Sequence, residues 1–132
     1  MGGTSKRSER DSAFGNEPLT GREKALLAAR GVDDLNATDV IILDVREAVA
    51  LADYFVICTG DTKRHIRALA DRVAEISQEQ GFKVHHTEGE AAAKWVLLDL
   101  NNVVVHIFDR DAREYYELER LWGDAPRVAF QN

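Results

Sequence analysis

The hydrophobic positions of the chain fall into two kinds of block. Val40–Val45, Tyr54–Thr59, Trp95–Leu100 and Val103–Phe108 are short apolar runs bounded by polar or turn residues, which predicts strands. Phe82–His86 alternates with period two, placing Phe82 and Val84 on one side, and predicts a further short strand. Other stretches repeat at helical spacing. Thr20 with Glu23 three residues on forms a capping-box signal for a helix to about Arg30, with Ala25, Leu26, Ala28 and Ala29 on its apolar side and Gly31 as its stop. Asp61 or Thr62 caps a longer helix to about Gln80, ended by Gly81. Ile66, Leu69, Ala70, Val73 and Ile76 form its inner face, while Lys63, Arg64, Arg67, Asp71, Arg72 and Glu75 face water. Asp111, three residues before Glu114, opens a last helix in which Ala112, Tyr115, Leu118, Leu121 and Trp122 recur.

Only Asn101-Asn102 separates the runs Trp95–Leu100 and Val103–Phe108. Asn tolerates positive φ better than other non-glycine residues, as the primed turns of two-residue hairpins require, so the two runs predict a tight antiparallel hairpin. The element order is helix, strand, strand, helix, strand, strand, strand, helix. Val103-Val104-Val105 is apolar on both sides, so both faces of the sheet should be covered. The fold class expected is α/β: a mixed sheet of about five strands with helices packed on it. Residues 1–19, without apolar periodicity, read as a disordered tail, residues 20–123 as one domain, and residues 124–132 as a short C-terminal tail whose Val128 and Phe130 dock locally.

Composition narrows the class. A chain of 132 residues suits one domain with a core of its own. Its single cysteine precludes an internal disulfide framework and points to a reducing compartment. No apolar run approaches the roughly 18–20 residues of a membrane helix, and the N-terminus shows no signal-peptide stretch. Glu9, Asp11 and Glu17 are unlike a mitochondrial presequence, which is poor in acids, so the location expected is the cytoplasm. Residues 1–30 carry six Lys or Arg against four Asp or Glu, whereas the remainder carries eleven against nineteen. A folded part this acidic repels bare nucleic acid and favours a basic partner, including a basic protein within a nucleoprotein particle.

Several patterns invite a catalytic reading. Gly60-Asp61-Thr62 joins a strand to a helix, but it lacks a dinucleotide or P-loop glycine motif, Asp61 would repel a phosphate, and capping accounts for it. Asp109 and Asp111 after a strand are the acidic pair of an alternative reading, a metal-dependent nucleotidyltransferase; at a strand-to-helix joint, Asp is also expected as cap and dipole partner. Cys58 sits in an apolar strand without a nucleophile motif and reads as core. His85 and His86 are adjacent and point to opposite faces, while His65 and His106 stand alone, so no metal signature emerges and no cofactor is expected. His106, within VVVHIF, reads as a buried, hydrogen-bonded histidine.

The aromatic and acidic block from Trp95 to Trp122 carries more. Trp95, Tyr115, Tyr116 and Trp122 accompany Asp99, Asp109, Asp111, Glu114, Glu117 and Glu119. The aromatics could all be core, with the acids a solvated face and Arg113 pairing Glu117. Yet one helix cannot bury Tyr115, Tyr116, Leu118, Leu121 and Trp122 on one narrow stripe, and a large aromatic left at the surface among carboxylates marks an interface. The sequence alone leaves packing and binding both open.

DYFVICTG (Asp53–Gly60), RHIRALAD (Arg64–Asp71), Glu88-Gly89, WVLLDLNNVVVHIF and YYELERLWGDAP stand in the order found in the ribosomal silencing factor, or Iojap, family, which this chain resembles from about Arg22 to Pro126. The resemblance implies a small α/β domain shaped like nucleotidyltransferases but without their catalytic site, often homodimeric. It implies a non-enzymatic protein that binds the large ribosomal subunit at its ribosomal protein number fourteen (L-fourteen), blocks joining of the small subunit and represses translation. The partner is basic, in keeping with the acidic balance. The contact set expected here is Trp95, Asp99, Tyr115, Tyr116, Glu117 and Leu118, with a minor ribosomal RNA contact through Lys63, Arg64 and Arg67. Two positions depart from the family's common pattern: Asn101-Asn102 where Gly-Asp is frequent, and Asp61 where a small or hydroxyl residue is frequent. Asn can hold the same turn, and Thr62 can still cap. A third reading is a dimeric structural protein whose aromatics serve self-association alone.

Overall fold

The apolar runs become strands in a computed structural model that describes residues 19–89 and 94–130. Strands β1 (Thr38–Asp44), β2 (Tyr54–Thr59), β3 (His86–Glu88), β4 (Trp95–Asp99) and β5 (Val103–Phe108) form one mixed sheet in the order β1-β2-β5-β4-β3. Only the β2–β5 pair is parallel; the others are antiparallel. The main helices are α1 (Gly21–Asp34) and α2 (Lys63–Gln80), followed by two short ones, α3 (Arg110–Tyr116) and α4 (Leu118–Leu121). Among the described residues, no helix is long and apolar enough to cross a membrane.

All six residues of β2 are buried, because it has strands on both sides and chain on both faces. Alternate side chains divide between two layers. Tyr54, Val56 and Cys58, with Val96, Leu98, Val103, Val105 and Ile107, pack with Ala25, Ala28 and Val32 of α1 and Ile66, Leu69 and Val73 of α2. Phe55 and Ile57, with Leu43 and Phe108, form the opposite layer with Ala112, Leu118, Trp122 and Ala125.

The capping box at Thr20 forms as predicted, with the Thr20 hydroxyl accepting from the Glu23 N–H at 3.1 Å and the Glu23 carboxylate accepting from the Thr20 N–H at 2.8 Å. Helix α1 does not stop at Gly31, however. That glycine is buried at the crossing with α2, where a Cβ would overlap Ile76 Cδ1; close packing uses it, and the chain leaves the helix only beyond Asp34. Thr62 caps α2, and Gly81 ends it in the left-handed region, φ 80°. His65 accepts the Asp61 N–H on Nδ1 at 3.0 Å and reaches the Leu35 carbonyl with Nε2 at 2.7 Å, tying α2 to the end of α1.

The short strand after α2 is shifted from its predicted position. Phe82 and Val84 are half-buried connector residues against the α1–α2 layer; the His85 N–H donates to the Asp99 carbonyl at 2.8 Å, and the strand itself starts at His86. The hairpin holds. Asn101 takes φ 82°, and the Leu100 N–H donates to the Val103 carbonyl at 2.8 Å. The last helix differs more. Asp109 rather than Asp111 is its N-cap, accepting from the Ala112 N–H at 2.7 Å. Glu117, in the left-handed region at φ 47°, then breaks it in two. The break turns Leu118 and Trp122 into the core while Tyr115 and Tyr116 stay outside.

Residues 126–128 run along the outer edge of β1: the Asp44 N–H donates to the Pro126 carbonyl at 2.7 Å and the Val128 N–H to the Ile42 carbonyl at 2.9 Å. Val128 and Phe130 then dock against the α1–α2 layer. The expected N-terminal tail, apart from Leu19, lies outside the described residues, as do 90–93 of the loop before β4 and the side chains of Glu119 and Leu121.

Candidate partner-binding surface

The helices cover the α3–α4 face of the sheet unevenly. Register places Trp95, Leu97 and Asp99 of β4 beside Phe108, His106 and Val104 of β5, so all six side chains share this face. Trp95, Leu97, Asp99 and Val104 are only half-buried. His86 and Glu88 of β3 lie opposite Asp99 and Leu97, exposed, with 3.2 Å between the His86 Nε2 and a Glu88 carboxylate oxygen. The result is an apolar strip along β4 flanked by carboxylates.

Trp95 is the centre of an aromatic group. Its ring lies 4.6 Å from Tyr116, 5.0 Å from Phe108 and 5.8 Å from His106 between centroids. Such tilted and edge-on pairs add to plain area burial. The indole N–H donates to His106 Nδ1 at 3.2 Å, which places the proton of the neutral imidazole on Nε2. His106 is 5% exposed and also packs edge-to-face on Phe55. Burial lowers its pKa to about 4. Tyr115, 81% exposed, stands edge-on to Tyr116, which is 44% exposed. The two tyrosines, Ala112, Lys94 and Asp111 line a shallow hollow beside Trp95, with Lys94 Nζ 4.0 Å from Asp111.

The structure therefore brings Trp95, Tyr115 and Tyr116 together at one end of the strip. Asp99 lies at the other end of β4, about 13 Å along the strand. There its carboxylate accepts from the Asn101 N–H at 2.8 Å. Glu117 is exposed and accepts from Arg120 at 3.2 Å. Arg113 sends one guanidinium N–H to Thr59 Oγ1 and another to the Asp39 carbonyl, anchoring α3 to the sheet. Leu118, at 8% exposure, is a core residue supporting the surface from beneath. Sequence reasoning missed Leu97, Val104, His86 and Glu88. The period-two alternation of WVLLD and VVVHIF carried the signal for the first two.

Asp109 is occupied as a cap, while Asp111 is exposed beside Lys94. Asp61 pairs with Arg110 at 3.2 Å. Among the described residues, no group of three His, Cys, Asp or Glu side chains is arranged to hold a metal ion. Cys58 is fully buried, its thiol pushed up to about 12 by burial.

The family profile described as "Ribosomal silencing factor during starvation" matches residues 18–132. A ribosomal silencing factor RsfS of Halalkalibacterium halodurans is 42% identical over 113 residues, covering 86% of this chain and 97% of that protein. Its counterpart in Bacillus subtilis is 45% identical, covering 76% and 85%. A crystal structure of a Chromobacterium violaceum protein superposes with a TM-score of 0.77 at 32% identity, covering 86% of this chain and 94% of that one. The motifs, the mixed sheet and these matches agree: the chain belongs to the ribosomal silencing factor family.

Proposed function

We propose that this protein is a non-enzymatic translational repressor that binds the large ribosomal subunit through its ribosomal protein number fourteen and sterically blocks docking of the small subunit. The observation that carries the reading is the half-covered strip of Trp95, Leu97 and Val104, continued by exposed Tyr115 and Tyr116, on an acidic protein. Aromatic anchors in such a strip supply binding energy, while Glu88, Asp99, Asp111 and Glu117 steer a basic partner into register. Trp95, Asp99, Tyr115, Tyr116 and Glu117 form the proposed contact set, with Leu118 holding α4 in place below. An interface of ordinary size covers on the order of 800 Å² on each side. Lys63, Arg64 and Arg67, exposed on α2, add a minor contact to ribosomal RNA. The free protein is a cytoplasmic homodimer in this reading.

Sedimentation with separated ribosomal subunits tests it. Wild type travels with the large subunit and lowers the yield of joined ribosomes. Folded Trp95→Ala and Glu117→Lys variants do neither. Wild type that remains at the top of the gradient at low salt overturns the reading.

A further inference from the structure

We infer that His106 is a positioning residue for partner binding: it fixes the Trp95 indole in the orientation in which that ring is presented at the surface. The inference rests on the functional reading above, but its structural half stands on the free protein alone.

Three observations meet at this pair. Trp95 is half-buried, so only part of its ring is held by neighbours, and the exposed part is the proposed anchor. Its one polar atom, the indole N–H, is satisfied by His106 Nδ1 at 3.2 Å. The histidine is itself immobilised within the sheet face, edge-on to Phe55 and in plane-parallel contact with Phe108. Its Nε2 is buried without a hydrogen-bond partner among the described residues. A buried polar group left unpaired costs stability, so an apolar ring of similar shape would serve packing as well or better. The property a phenylalanine cannot supply here is an acceptor for the indole. An anchor already held in its bound rotamer loses less conformational entropy on association, a saving of about threefold to tenfold in affinity for one large side chain.

The test separates positioning from packing by pitting stability against affinity. His106→Phe keeps the ring and removes both the acceptor and the unpaired N–H. His106→Asn keeps an acceptor near the Nδ1 position but leaves a cavity. Each is measured by thermal unfolding, by binding to purified large subunits, and by the indole ¹H–¹⁵N resonance of Trp95, assigned with Trp95→Phe. The expectation is that His106→Phe unfolds at or above the wild-type temperature yet binds about threefold to tenfold more weakly, with a shifted and broadened Trp95 indole resonance. His106→Asn is less stable but recovers most of the affinity. In a Trp95→Phe background, which has no indole N–H, His106→Phe has no further effect on binding. Equal binding by wild type and His106→Phe, with an unchanged indole resonance, overturns the inference. If wild type itself fails to bind large subunits, the functional reading fails, and the indole resonance of the free variants alone decides whether His106 holds the ring.

Discussion

Gly89 passes so close to Trp95 that a Cβ at Gly89 would overlap the Trp95 carbonyl oxygen. The glycine also takes φ 81°, a conformation that side chains disfavour. Gly89 follows the edge strand and lies directly against the backbone of the proposed anchor. Gly81, with nearly the same φ of 80° but open space around its missing Cβ, is the natural control. Gly81→Ala is expected to cost about 1 kcal/mol from the backbone alone. Gly89→Ala should cost at least about 2 kcal/mol, because the steric overlap is added to the same backbone strain. Urea unfolding of both variants checks this, and only Gly89→Ala should alter tryptophan fluorescence in the folded state. Equal costs would mean that the backbone at Gly89 gives way to the added Cβ.

Much of this arrangement was legible in the residues. The capping box at Thr20, the strand Tyr54–Thr59, the Thr62 cap and the Asn101 turn are set by local chemistry, and each appears where its residues predict. What local pattern could not give depends on partners distant in sequence. Gly31 looks like a helix stop until Ile76 is seen against it. Asp111 satisfies a capping rule, but Asp109 stands where β5 ends and takes the position. The open strip is a property of the whole sheet: alternation puts Leu97 and Val104 on one face, but that both stay half-buried depends on what packs over that face, which no single stretch records. Trp95, Tyr115 and Tyr116 do meet, although Asp99 and Leu118 occupy different parts of the surface and core.

His106 links stability to pH. Its folded pKa of about 4 lies below the unfolded value near 6.5, so the unfolded chain takes up a proton before the folded one. The neutral ring's stabilising effect is therefore complete above about pH 6.5 and is lost as pH falls toward about 4. Phe55, Trp95 and Phe108 surround the ring, and none of them offers a charge that would hold an imidazolium. Between pH 7 and pH 4.5 wild type should lose about 2 kcal/mol more stability than His106→Phe. Carboxylate titration affects both proteins and cancels in the difference. Urea titrations at the two pH values measure it, and identical slopes would show that His106 is readily protonated in the folded state.

Glu117 sets the surface's geometry and part of its charge, and substitution can separate the two. Its φ of 47° is costly for a residue with a side chain. Glu117→Gly should therefore leave stability unchanged or raise it by up to about 1 kcal/mol while preserving the turn that sends Leu118 inward. The same variant removes a carboxylate from the proposed contact set, so its affinity for large subunits should fall, most visibly at low salt, where charge steering is strongest. Unchanged binding across a salt series would remove Glu117 from the interface.

The C-terminal segment protects a sheet edge. Residues 126–128 occupy the outer side of β1 through the Pro126 carbonyl and the Val128 N–H, while Val128 and Phe130 pack onto the α1–α2 layer. Deleting residues 126–132 strips those bonds from Ile42 and Asp44 and leaves β1 as an open strand with apolar Val40, Ile41, Ile42 and Leu43. An unpaired apolar edge is a template for intermolecular pairing. The truncated protein should unfold at lower temperature by several degrees, since loss of about 1–2 kcal/mol shifts a domain of this size by that much. It should also form larger species as concentration rises, in light scattering at conditions where wild type does not. The strand β3 offers a built-in comparison: it is also an edge, but short, exposed and bearing His86 and Glu88, features that discourage such pairing. If the truncated protein keeps the wild-type melting temperature and size distribution, the segment is dispensable to the edge, and β1 is guarded by its own bulge near Asp39.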